Sequence, residues 1–102
     1  MAAIDSGTAF SETATHATAA VASHAAVAGR TYYVTNVTVS SDKAGAIGII
    51  KQGTTAIWQF QVGASVHSIS FPVPLRGASG ALVSVEIDGT SACKANISGF
   101  EL

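Results

Sequence analysis

A chain of 102 residues, 48% hydrophobic and 11% charged with net charge -1, has material for one domain whose core needs neither a metal nor a disulfide staple. A mean hydropathy of +0.42 with so little charge excludes an intrinsically disordered chain. The five basic residues, Arg30, Lys43, Lys51, Arg76 and Lys94, stand too far apart to neutralise several phosphates together, so nucleic acid is not an expected partner.

The opening "MAAIDSG" puts Asp5 where a secretory signal carries positive charge, so no signal peptide is expected. Thr, Ser and His interrupt "ATHATAAVASHAAVAG" well before the roughly 18 apolar residues that cross a bilayer, and no membrane partner is expected. Residues 1–28 are mostly Ala, Thr, Ser and Val. Small side chains bury little area, and Thr and Ser compete for backbone hydrogen bonds. The expectation is an extended arm over residues 1–16, then a domain over 17–102 whose first strand lies at about 17–28 and needs a neighbouring sheet.

From Gly29 onward, apolar and polar residues alternate in short runs divided by Gly, Asp and Pro, the pattern of half-buried strands. "RTYYVTNVTVS" is one, with Tyr33, Val37 and Val39 expected on one face, and "SDKAG" is the turn after it. "AIGIIK" and "TAIWQFQV" predict a hairpin about Gln52 and Gly53, placing Trp58, Phe60 and Val62 on one face, with Trp58 in the core. In "VHSISFPVPL" the residues Ile69, Phe71 and Val73 share a face, while Pro72 and Pro74 lack amide hydrogens and confine the segment to a sheet edge or a departure from it. "RGASG" reads as a turn.

The segment "GALVSVEIDGTSACKANISGFEL" predicts a second hairpin, its loop at 89–91 setting Ile87 against Cys93, Val85 against Ala95 and Val83 against Ile97. That register also pairs Glu86 with Lys94. Gly99 is expected to form a bulge that hands the apolar positions to Phe100 and Leu102. About six strands over 30–102, with no helical period, indicate an all-β fold: an antiparallel β-sandwich or jelly roll with an extended N-terminal arm.

Little in this pattern points to chemistry. His16, His24 and His67 have no metal-ligand spacing and read as solvent-facing or interface residues, with His67 facing outward beside Ser65. Glu86 and Asp88 share a strand face about 6 to 7 Å apart, which overlaps the separation of paired glycosidase carboxylates, but they read as a polar outer face. Cys93 sits in an apolar register as a small core residue. "GASG" lacks the Lys and helix of a phosphate loop. The acceptor triplets at Asn36 and Asn96 fall inside predicted strands. No catalytic residue, metal or cofactor is expected. The residues expected at an interface are Tyr32, Tyr33, His67 and Phe10, since aromatic rings bring large contact area at small entropic cost.

The Ala/Thr-rich start, "RTYYVTNVTVS", "SFPVPLRGASGALVSVEIDG" and the ending "KANISGFEL" together resemble small jelly-roll virion proteins of tailed bacteriophages, of the capsid decoration (cement) type. The resemblance implies a non-enzymatic homotrimer, made in the host cytoplasm and seated on the capsid exterior. There it would bridge major capsid protein subunits. The alternative reading is a carbohydrate-binding or receptor-binding adhesin module of a phage tail or fibre, using an outward Tyr32 or Tyr33.

Overall fold

The structure, a computed structural model, describes residues 8–102. Eight strands occupy them: β1 (Thr8–His16), β2 (Ala19–His24), β3 (Thr31–Ser41), β4 (Ile47–Gln52), β5 (Thr55–Gln61), β6 (Val66–Ser79), β7 (Val83–Asp88) and β8 (Cys93–Glu101). They form two four-stranded sheets in the orders β1-β8-β3-β6 and β2-β7-β4-β5, every pair antiparallel. The pairs β1·β8, β2·β7, β3·β6 and β4·β5 are successive rungs of one long hairpin folded over on itself. That is the strand order of a jelly roll, two sheets sharing one core.

The core is thin and built from small branched residues: Val34, Val37, Val39, Ile50, Val83, Val85, Ile87 and Ile97 are all at most 2% exposed. Each comes from a strand whose alternate positions face the opposite sheet. Ala20 and Ala22 contribute from β2 and Ala95 from β8, where a larger side chain would hold the sheets apart. Cys93 is buried among them, its Sγ–H directed at the His16 carbonyl at 3.2 Å.

Several expectations are corrected. Of the expected arm, residues 1–7 lie outside the described residues, while Thr8–His16 is an edge strand in continuous register with β8 from Thr8↔Glu101 to His16↔Cys93. The backbone of β8 supplies the hydrogen bonds that the small side chains could not replace by packing. The expected hairpin from 83 to 97 does not form: β7 and β8 belong to different sheets, and Val83, Val85 and Ile87 face Cys93, Ala95 and Ile97 across the core. Glu86 consequently pairs with Lys51 of β4 at 2.9 Å, not with Lys94.

In β3 a register shift between Val34 and Asn36 reverses the phase, so Tyr32 and Val34, not Tyr33, join Val37 and Val39 inside. The Gly99 bulge is absent. β8 keeps its alternation to the end, leaving Glu101 buried and Leu102 exposed. Gly99 serves close approach instead, because a Cβ there would lie 2.0 Å from the Tyr33 carbonyl oxygen. "RGAS" continues β6 and is not a turn; the chain turns after it, at Gly80.

The prolines do mark an edge, since β6 borders its sheet, and its register against β3 jumps from Ser70 to Leu75 across them. That jump throws Val73 out to 83% exposure. The hairpin of β4 and β5 forms as expected, with Gln52 paired to Thr55 about Gly53 and Thr54.

Candidate functional site

Three strands meet at one titratable cluster. The His24 imidazole, at the end of β2, lies with Nδ1 3.1 Å from Glu12 Oε2 on β1 and Nε2 3.0 Å from Glu101 Oε2 on β8. An ionised carboxylate only accepts hydrogen bonds, so both contacts are satisfied when both ring nitrogens carry protons. Burial alone would lower the His24 pKa. The hydrogen bonds and negative charges of Glu101 and Glu12 outweigh it and hold the pKa above its ordinary value. The Phe10 ring stacks on the imidazole at 3.9 Å and 9°, a favourable surface for a cationic ring. Three groups far apart in the chain therefore converge, but neither imidazole nitrogen is left free to take a proton from a substrate.

The signal that would have revealed this cluster is the unbroken inward row Cys93, Ala95, Ile97, Gly99, Glu101, which ends on a carboxylate. The other two histidines also have local roles. His16 Nδ1 accepts from the backbone N–H groups of Thr18 and Ala19, each at 3.0 Å, shaping the passage from β1 to β2. His67 does not face outward: its ring stacks on Phe60 at 5.4 Å between β6 and β5.

Of the expected interface residues, Tyr32 and Phe10 are buried, at 2% and 9% exposure. Tyr32 donates to Gln52 Oε1 at 2.8 Å, and the same oxygen accepts from the Ala78 N–H at 2.9 Å. Desolvation raises the Tyr32 pKa. Tyr33 lies on the outer face, stacked on Phe100 at 5.0 Å. Trp58, expected in the core, is 45% exposed at the β5–β6 flank and meets Phe71 edge-on at 5.5 Å. Its strand faces inward as expected, but β5 is an edge and leaves one side of the indole uncovered.

The carboxylates considered for catalysis are held in ion pairs, Glu86 with Lys51 and Asp88 with Lys43. The Lys43 ammonium holds the Asp88 pKa below its ordinary value. Asp42 clasps the passage from β7 to β8, accepting from the Ser91 hydroxyl and from the N–H groups of Thr90 at 2.8 Å and Ser91 at 2.9 Å. Those bonds, the Ser91 hydroxyl first, push its pKa well below the usual carboxylate range.

What remains open is surface. The outer face of the first sheet presents Ser11, Thr13 and Thr15 on β1, Lys94, Asn96 and Ser98 on β8, Asn36, Thr38 and Ser40 on β3, and Ser68 and Ser70 on β6. These groups bond among themselves: Asn96 Nδ2 donates to Thr13 Oγ1 at 2.9 Å, and Thr38 and Ser68 share a hydrogen bond at 3.0 Å. A shallow hollow of about 360 Å³ crosses this face between Thr13, Thr38, Val66 and Asn96. The other sheet carries one of about 340 Å³ lined by Val21, Ile47, Ile49, Glu86 and Asp88, with Val21 and Ile47 more than 40% exposed. Neither hollow is lined by Glu12, His24 or Glu101. No group of three or more His, Cys, Asp or Glu side chains among the described residues has metal-binding geometry. Compared with known proteins, the chain matches no family model and no curated sequence.

Proposed function

We propose that the chain is a non-enzymatic structural protein of a virion, a capsid decoration protein that sits on the capsid exterior and bridges neighbouring major capsid protein subunits. One observation carries this reading. Away from the end where Tyr33, Phe100 and Arg76 lie, the first sheet's outer face presents eleven Ser, Thr, Asn and Lys residues with a single charged side chain among them, Lys94. A neutral hydroxyl and amide surface gives up its water at lower cost than a charged one and offers donors and acceptors along its whole width. It also lets many identical copies sit close together without mutual repulsion.

The partition of ionisable groups supports the same reading. His24, Glu86 and Asp88 are engaged within the fold, as structural groups are, and the shallow hollow that Glu86 and Asp88 line does not include His24. The test is co-sedimentation of the purified chain with capsids assembled from the major capsid protein of the same genome. Saturable binding, weakened when Thr38 and Asn96 are both replaced by Glu, is expected; free chain at every concentration rejects the reading.

A second reading has its own observation. Trp58, 45% exposed beside Phe71, is the kind of aromatic platform on which a sugar ring stacks. Retention on a glycan array that disappears in Trp58→Ala would favour the adhesin module.

A further inference from the structure

The two flanks of the sandwich are built differently. On one side, β6 carries Pro72 and Pro74 and shifts register against β3, while β5 shifts register against β4 and overhangs with Trp58. Prolines and bulges of this kind deny an incoming strand its hydrogen bonds. On the other side, β1 runs nine residues in unbroken register with β8 and contains no Pro, Gly or Lys. Among the described residues nothing pairs with its outer edge, a row of backbone N–H and C=O groups without proline, lysine or bulge. The one charged group on the strand below its terminal His16 is Glu12, and its carboxylate is turned inward to His24.

We infer that β1 is the pairing edge for a second copy of this chain, joined antiparallel across a two-fold axis so that the first sheets of two copies become one eight-stranded sheet. A sheet edge that is long and regular, with its one carboxylate tied to His24 of the same copy, fits an extended strand, and an isologous pair closes after two copies. The side chains choose the register. Directly opposite residues share a face, so the axis passes through a residue and not between two. An axis at Glu12 would set two carboxylates face to face, and an axis at Ser11 would place Glu12 against the partner copy's Phe10 ring. With the axis at Thr13, Thr13 meets Thr13 and Ser11 meets Thr15 on the outer face, pairs that hydroxyls favour, while Glu12 meets Ala14 on the inner face.

This inference is independent of the virion reading, since it rests on strand edges and not on the outer face. It also differs from the three-fold assembly that the sequence resemblance implies. The test combines mass with position. Light scattering should give twice 10.2 kDa. With a mild copper-phenanthroline oxidant, Thr13→Cys should form an interchain disulfide in high yield. Thr15→Cys alone should not, but an equimolar mixture of Ser11→Cys and Thr15→Cys should cross-link. These positions are exposed, and Cys93 is buried, so circular dichroism should show each variant folded. A mass of one or three chains, an open-ended series of masses, or equal cross-linking at residues 13 and 15 overturns the inference. None of these outcomes bears on capsid binding.

Discussion

The His24 imidazole is the side chain on which the two N-terminal strands and the last strand converge, and its protonation state carries a stability consequence. Its folded pKa lies above the ordinary 6.5. The cluster's contribution is therefore complete below that value and is lost as pH rises through the folded pKa. His24→Gln should melt lower than the native chain by about 1 to 2 kcal/mol in mildly acidic buffer, the size of charge-assisted hydrogen bonds partly screened by solvent. The difference should shrink steadily toward alkaline pH in thermal melts. A difference that grew with pH would mean that the imidazole is bound as the neutral form. Sequence reading missed this cluster for a physical reason: Glu12, His24 and Glu101 are separated by 12 and 77 residues along the chain, and it takes both the pairing of β1 with β8 and the packing of β2, in the other sheet, against them to bring the three together. The burial of Cys93 was legible, because its apolar neighbours at two-residue spacing leave it nowhere else to point.

Among the elements, β3 to β8 were legible from alternation, and the prolines correctly marked β6 as an edge. The pairing of β7 was not. A row of inward residues looks the same whether its strand pairs beside the next one or faces it across a core, so Val83, Val85 and Ile87 satisfied both arrangements. The phase errors at Tyr33 and Val73 both sit where extra residues enter a strand, and a bulge leaves no mark in an alternating pattern except the residue that breaks it. Gly77 offers a direct test of how β3 and β6 fit. A Cβ there would fall 1.9 Å from the Tyr32 ring, whose hydroxyl holds Gln52. Gly77→Ala should displace that ring and destabilise the fold by about 1 to 3 kcal/mol in chemical denaturation. Gly80→Ala is not an equivalent control, because its φ of 68° adds backbone strain. Ser79→Ala, exposed on the same strand, should stay within about 0.5 kcal/mol of the native chain.

For the molecule as a whole, the alternation of apolar and polar residues in about six short runs from Gly29 onward announced a two-layered β fold, since each such strand must hide one face and expose the other. It could not announce the jelly-roll order, which depends on which strands cross between the sheets and leaves no trace in any single strand. What the molecule offers outwardly is broad and low in charge: hydroxyl-covered sheet, shallow hollows, and the Glu86 and Asp88 carboxylates paired with lysines. The virion reading grows from that character, with the chain acting as a brace between capsid subunits. Its most direct test is the temperature at which capsids release packaged DNA, followed with a DNA-binding dye on particles with and without the bound chain. Particles saturated with it should hold their DNA to a distinctly higher temperature, with the gain lost on stripping it and regained on adding it back. Release at the same temperature with and without bound chain would contradict the account.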